Sequence, residues 1–430
     1  MTISDAELRA CLDTLARSRE LDPADPRFVA LERAAAHLRK QAKKTRKAGR
    51  RREGAAHDRA LRDAVADAAA TPAVSEGAPA RSDGGPRETR RERRCYVCKR
   101  PYRRLHDRYH LLCPRCGDVS NAMRELPVDL AGRRALVTGA RVKIGHAVAL
   151  RCLRAGAEVV ATTRFPADAA RRFAAEPDAA LWRDRLEIHG LDFRRLDDVM
   201  RAVAVWRDGP ALDLLVNNAA QTVWHGPDHY AALHAGERAG RPAALPVTRW
   251  GGDVSAPAPL AGVDTAVDLC REHSWTMRLA DVPPVEMIEA QVVNAIVPAL
   301  LCSRLEPALL RSRFPDRYVV NVTAIEGQFR RDEKLPRHPH TNMAKAALNM
   351  VTRTSAADYA SRGIHMVAVD PGWVSHEGPP GQRAKARAQG VRPPLTVEDA
   401  AARVLDPVAR GLAGRPVHGV LLKDFVEVPW

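Results

Sequence analysis

The chain has 430 residues, 45% of them hydrophobic, enough for two or three domains with buried cores. It carries a formal charge of +16, and no run of about 18 apolar residues is evident, so no membrane span is expected. The start, MTISDAELRA, lacks a charged region followed by an apolar stretch, so no signal peptide is expected and the setting reads as cytoplasmic; eight Cys there suggest metal ligands or free thiols rather than disulfides.

Residues 1–70 read as a helical, basic segment. Pro23 and Pro26 separate a first helix from a longer second one, with Asp25 as N-cap. The stretch RKQAKKTRKAGRRR (39–52) holds nine cations in fourteen residues and almost no apolar stripe, so it cannot pack into a core. It is a solvated helix or an anion-binding arm. Residues 1–130 hold 29 Lys+Arg against 19 Asp+Glu, which concentrates the basic excess in this third. A polyanion or a protein partner is therefore expected through residues 39–116.

Residues 71–92 are rich in Pro, Gly, Ser and charge and read as a linker. A small zinc-ribbon-like module follows over 93–128. Its knuckles, Cys95–Cys98 and Cys113–Cys116, stand fourteen residues apart. Four thiolates suit tetrahedral Zn²⁺, and a closed four-Cys site holds a fold rather than catalyses. His106 and His110 lie between the knuckles and could replace a Cys pair, but read better as surface residues. The linker and the order of motifs make this a separate module, so loss of the metal should leave the remainder of the chain intact.

From residue 129 to 430 strands and helices alternate. RRALVTG (133–139), AEVVATTR (157–164), LDLLVNNAA (212–220), RYVVNVTA (317–324) and HMVAVDPGWV (365–374) read as buried strands. HAVALRCLRAG (146–156) reads as a helix closing on Gly156. The expected fold is α/β, a doubly wound parallel sheet of Rossmann type. Gly139 and Gly145 bracket the first strand-to-helix turn, TGARVKIG, where backbone can approach a pyrophosphate at a helix N-terminus.

In order, TGARVKIG, LDF (191–193), NNAA (217–220), Asn294, VNVTA (320–324), Lys345 and PGWV (371–374) resemble the short-chain dehydrogenase/reductase family over residues 131–425. The resemblance implies a nicotinamide dinucleotide held by Gly139, Arg141, Lys143, Ile144, Gly145, Thr163, Arg164, Asp192, Asn217, Lys345, Pro371 and Gly372. In it Asp192 would touch the adenine, Asn217 would support the cofactor turn, Lys345 would hold the nicotinamide ribose and Asn294 would join the proton relay. Lys143 stands at the family's middle glycine, similar to the basic residue of pteridine reductases. Thr163 replaces the acidic residue that selects NAD, and Arg164 follows it, so NADP(H) is the expected cofactor.

The family's catalytic Ser falls at Ala324, with Thr323 just before it, and its Tyr falls at Thr341. A Thr hydroxyl is a poor acid at neutral pH, although it can relay a proton. The candidate catalytic set is thus Lys345, Asn294, Thr341 and Thr323, with His338, His340 and Glu326 near enough in sequence to contribute. About seventy residues separate NNAA from Asn294, far more than the resembled family uses. The insertion near 221–285, with Trp224, Trp250 and Trp275, reads as a lid or substrate cap, and 327–340 as a second expansion. Two functions fit. One is an NADP-dependent oxidoreductase with a non-standard proton donor, acting on a small molecule that the sequence does not identify. The other is a non-catalytic NADP-binding sensor or scaffold docking through ribbon and arm. Homo-oligomerisation is compatible with either.

Overall fold

The computed structural model describes residues 3–70, 87–223, 227–239, 245–251, 274–330 and 334–430. Most of the expected linker, and the insertion residues 224–226, 240–244 and 252–273 with Trp224, lie outside the described residues. The chain divides into two compact units, Met1–Cys95 with Lys99–Cys113, and Tyr96–Cys98 with Pro114–Trp430.

In the first unit, α1 (Asp5–Arg17) opens on a capping box, Ser4 with Glu7. The prolines end that helix as expected, and α2 (Pro26–Ala70) runs on for 45 residues. Asp25 Oδ1 accepts the Arg27 amide at 2.8 Å. A hairpin of β1 (Glu88–Arg94) and β2 (Pro101–Arg104) pairs antiparallel, so the last residues of the expected linker are strand. The buried Asp58 carboxylate of α2 accepts the Arg90 and Arg91 amides at 2.6 and 3.1 Å and fixes the hairpin on the helix.

The second unit starts with α3 (Pro114–Glu125), which the sequence grouped with the ribbon. Arg151 donates to the Met123, Arg124 and Leu126 carbonyls, and buried Arg403 donates to Ser120 Oγ, so this helix is built into the larger unit. Then come β3 (Arg134–Val137), α4 (Lys143–Arg154), β4 (Glu158–Thr163), α5 (Pro166–Ala174), β5 (Leu186–Gly190), α6 (Leu196–Asp208) and β6 (Leu214–Asn217). The insertion contributes α7 (Pro227–Arg238) and β7 (Val247–Arg249). The chain continues through α8 (Pro284–Gln291), one π turn, α9 (Val297–Leu310), β8 (Arg317–Val322), α10 (Pro339–Ala360) and β9 (Ile364–Asp370). It ends with α11 (Pro380–Ala388), α12 (Val397–Leu412), β10 (Leu421–Lys423) and β11 (Val426–Val428).

The nine-stranded sheet runs β11-β10-β9-β8-β6-β3-β4-β5-β7, parallel except for β10 with β11. Alternation builds its two cores. Ala135 and Val137 of β3, Val216 of β6 and Val320 of β8 face one, with α4 and α12 residues. Leu136, Leu215 and Val319 face the other, with residues of α6 and α9. Strand order reverses between β3 and β6, which opens a crevice at their carboxyl ends.

One stretch corrects the expectation of no long apolar run. Pro284–Leu310 is long and apolar enough by composition to cross a membrane, yet 67% of its apolar window is buried inside this fold. Such burial is that of a core helix between sheet and neighbours.

The described part of the insertion lies at a sheet edge. β7 extends the sheet beside β5. The Trp206 and Trp250 indoles donate to His189 Nδ1 at 3.2 and 3.0 Å. An indole N–H only donates, so Nδ1 is the acceptor and the ring proton sits on Nε2, 3.4 Å from Glu187. Helix α5 has no side-chain cap of its own. Glu237 of α7 supplies one, accepting the Ala167 and Asp168 amides at 2.9 and 2.8 Å.

Candidate active site

The crevice at the ends of β3, β4 and β6 holds a cleft of about 530 Å³. Its floor is the turn between β3 and α4. Gly139 sits at φ +67°, and a Cβ there would lie 2.8 Å from Ala219 Cα. A Cβ at Gly145 would collide with the Gly139 carbonyl and the Asn218 amide. Helix α4 begins at Lys143 with no side-chain cap, so its first amides face the cleft unspoken for by a side chain.

Asn217 does not support this turn. It is the last ladder residue of β6, and its amide donates to Asn321 Oδ1 at 2.8 Å inside the sheet. Asn218, one residue on and past the strand, turns to the other side and donates to the Thr138 carbonyl at 2.9 Å and the Gly139 carbonyl at 3.3 Å. The doubled Asn of NNAA was the signal; strand alternation decides which of the two reaches the turn.

Of the other expected cofactor residues, Arg141, Lys143, Ile144, Thr163, Arg164 and Asp192 line the cleft. Lys143 adopts φ +55°, a left-handed conformation that costs a side chain of the order of 1 kcal/mol. Its Nζ pairs with Glu377 Oε1 at 2.7 Å. Burial works to raise the Glu377 carboxyl, but Lys143 and Ser375 hold it below the usual range. At the end of β4, Thr163 Oγ1 accepts the Phe165 amide at 3.1 Å. Arg164 donates to Tyr230 of α7 at 3.3 Å and lies over that ring at 5.2 Å. Phe165 stacks on Tyr230 with centroids 5.6 Å apart. Arg141 is paired with Asp168 at 2.8 Å. Asp192 is buried, and burial would raise its carboxyl, but Arg194 and Arg164 keep it low. Pro371 and Gly372 are not among the lining residues; the segment just after them, 374–378, is. Tyr230, Glu377 and Arg383 line the cleft without having been singled out in the sequence, because they come from the insertion and from beyond the last motif.

The loop at 371–373 is held from an unexpected side. Gly372, at φ +84°, donates to Asp370 Oδ1 at 2.9 Å. The Trp373 amide donates to the Tyr96 hydroxyl at 2.9 Å. Tyr96 is the residue after Cys95, and burial raises its hydroxyl pKa. The sulfurs of Cys95, Cys98, Cys113 and Cys116 all lie within 4.8 Å of one another, so four thiolates are gathered where a tetrahedral metal would fit.

The expected catalytic side chains are all buried: Lys345, Thr341, Thr323 and Asn294 are 9, 4, 3 and 1% exposed, and none is among the residues lining the cleft. Asn294 sits in the π turn Val292–Ile296, accepting the Gln221 amide at 2.6 Å and donating to the Gln221 carbonyl at 2.9 Å. It thereby ties the start of the insertion to the helix. Lys345 donates to the Val322 carbonyl at 2.8 Å. Burial pushes its ammonium down to about 8, against the opposing charges of Glu326 and Asp370. The Thr323 hydroxyl is buried with no hydrogen-bond partner among the described residues.

At the head of α10, Thr341 Oγ1 lies 2.9 Å from the His338 carbonyl and 3.3 Å from His338 Nδ1. His338 is left-handed at φ +40° and stacks on Trp275 at 4.3 Å between centroids. Burial lowers its pKa. His340 points elsewhere, 3.4 Å from the buried Glu286 carboxylate.

Comparison with known proteins agrees with this architecture. The short chain dehydrogenase family model matches residues 133–236, and the model described as enoyl-(acyl carrier protein) reductase matches 266–397. An uncharacterized protein of Acanthamoeba polyphaga mimivirus is 30% identical over 341 residues, covering 74% of this chain and 71% of that protein. The short-chain dehydrogenase srdF of Neurospora crassa is 31% identical over 39% of this chain and 65% of its own length. Among solved structures, NADPH-bound carbonyl reductase from chicken fatty liver is 21% identical, with 70% of this chain and 100% of that chain covered at a TM-score of 0.47. The chain belongs to the short-chain dehydrogenase/reductase family, a family of oxidoreductases.

Proposed function

We propose that the protein is an NADP(H)-dependent oxidoreductase in which Thr341 and His338 together replace the family's tyrosine. The observation that carries the cofactor reading is the mouth of the cleft. No carboxylate stands at the end of β4, where Thr163 is bonded to backbone, and Arg141, Lys143, Arg164 and Arg383 surround the opening. A carboxylate there would favour a ribose hydroxyl, whereas cations favour a 2′-phosphate. The Gly139 and Gly145 cradle, which a Cβ would fill, fits a pyrophosphate.

Bound NADPH would supply the hydride to a substrate carbonyl. Thr323, with its hydroxyl unpartnered, would donate to the carbonyl oxygen. The developing alkoxide needs a proton, and Thr341 Oγ would hand on one received from His338 Nδ1, leaving the imidazole neutral. Lys345 would hold the ribose hydroxyls. Calorimetry with NADPH and NADH, and NADPH oxidation against ketones, aldehydes and pterins, test this reading. Equal affinity for the two dinucleotides sinks the cofactor assignment.

A specific observation favours a second reading, an NADP-binding sensor or scaffold: the four catalytic candidates are buried away from the cleft lining. Turnover abolished by Lys345→Ala would eliminate it. In either case Cys95, Cys98, Cys113 and Cys116 suit a structural zinc, about one per chain. A cytoplasmic, reducing setting would keep the thiols available to it.

A further inference from the structure

The nine cations of 39–52 are all exposed, and none forms an ion pair among the described residues. At 100° per residue they are not scattered around α2. Eight of the nine fall within an arc of about 160°, in two rows: Arg39, Lys43, Arg46, Arg50, and Lys40, Lys44, Lys47, Arg51. The remaining sides of this stretch carry Gln41, Ala42, Thr45, Ala48 and Gly49, with Arg52 the one cation outside the arc. The rows run for roughly 20 Å.

The same arc continues down the helix through Gly54, Asp58 and Val65, and there the β1–β2 hairpin covers it. The Arg90 side chain lies 3.8 Å from where a Gly54 Cβ would be. Arg91 donates to the Arg51 carbonyl at 2.8 Å. Arg90, Arg91, Arg94, Arg100, Arg103 and Arg104 are exposed on this hairpin. Folding therefore brings Arg90 and Arg91 of the hairpin against the helix that carries the rows, features that are separate in the sequence.

We propose that this face of the first unit binds B-form duplex DNA without sequence preference. A duplex carries about one phosphate per 1.7 Å of axis, so 20 Å offers about twelve. Two rows of four cations match the two phosphate walls of a groove, and the major groove of B-DNA, about 12 Å wide, admits a helix. The deep, narrow major groove of an RNA duplex does not. No aromatic side chain lies within 39–52, so no base-stacking site for single strands is present in that stretch. The proposal is independent of the oxidoreductase reading.

The test uses the full chain and a duplex of about 20 base pairs, followed by fluorescence anisotropy over a salt series. Eight phosphate contacts predict a slope of log affinity against log salt of about −7. The combined Arg39→Gln, Lys43→Gln, Arg46→Gln and Arg50→Gln variant should halve that slope and weaken binding at least a hundredfold at about 0.1 M salt. Glutamine is a good helix former, so its circular dichroism should match the unmodified chain. Four exposed cations of the second unit changed likewise, Arg304, Arg353, Lys385 and Arg387, should leave the slope unchanged. A slope shallower than about −3 for the unmodified chain, equal loss in the second-unit control, or tighter binding to an RNA duplex of the same length would overturn the proposal.

Discussion

The two halves of the large sheet treat their family inheritance differently. Around β3, β4 and β6, motif and geometry coincide: the glycines make the turn, Asn218 holds it, and cations surround the mouth. Around β8 and α10 the strand and helix are present, but the positions at which the sequence resemblance expects Ser and Tyr hold Ala324 and Thr341. Binding a dinucleotide relies on backbone shape, which few residues can alter without collision. Moving a proton relies on one or two groups of matched pKa, and a neighbouring histidine can take over.

The sharpest way to break this comparison is at Lys345, to which the proposed function gives a part in both halves. Lys345→Ala should lower carbonyl reduction on the order of 10³-fold if the protein turns over, read as loss of NADPH absorbance. The same residue has a stability signature. Its folded value of about 8 lies below that of an unfolded lysine, so between these the unfolded chain binds more protons. The burial penalty is full below pH 8 and shrinks as pH rises towards the unfolded value. Lys345→Met should therefore stabilise the fold near neutrality, by an amount of order 3 kcal/mol, and flatten the rise of stability with pH seen in urea titrations from pH 7.5 to 10.

Next in size is the proposed proton path. His338→Ala and Thr341→Val should each cost on the order of 10² in kcat, and the two losses should not add, because they interrupt one relay. The His338 pKa is lowered by burial, and in the proposed relay the donor is the protonated imidazole. Reduction should thus fall as pH rises, with a midpoint below the ordinary histidine value; a rate that is flat through that range would exclude His338 as the acid. Thr341→Tyr restoring activity in a His338→Ala background would instead mark the site as merely degenerate.

Arg164→Asp tests the other half. It should lower the preference for NADPH over NADH at least tenfold, about 1.4 kcal/mol, by calorimetry. The smallest effect is expected at Tyr96→Phe, which removes the acceptor of the Trp373 amide. A single neutral hydrogen bond is worth about 1 kcal/mol, so dinucleotide affinity should drop roughly fivefold. Removing metal from the four cysteines with a chelator should do the same or more. No change in either case would restore the picture of an independent ribbon.

The sequence disclosed the sheet because its strands, from RRALVTG to HMVAVDPGWV, are apolar runs ended by turn residues, and that pattern follows from burial on both faces. β7, β10 and β11 escaped because three residues carry no periodicity. The cofactor turn was legible because glycine has no substitute at Gly139 or Gly145. The choice between Asn217 and Asn218 was not, since it depends on where β6 ends. Tyr96 and Tyr230 were invisible for a different reason: their roles arise from contacts with residues 277 and 66 positions away. The contact of His338 with Thr341 was visible only as proximity in sequence, and the left-handed backbone and Trp275 stack of His338 are properties of the fold.

Glu237 has an implication for anyone wishing to trim this protein to the size of its shorter relatives. By its position in the sequence the insertion resembles an appendage that a deletion would remove cleanly. Yet its α7 carboxylate closes the start of α5, its β7 shields the outer edge of β5, and its Trp250 shares an acceptor with Trp206 of the sheet's own helix. Excision would bare two amides and a strand edge at once. Shortening must therefore be engineered as a replacement, with a new cap before Pro166 and a charged or proline-bearing edge on β5.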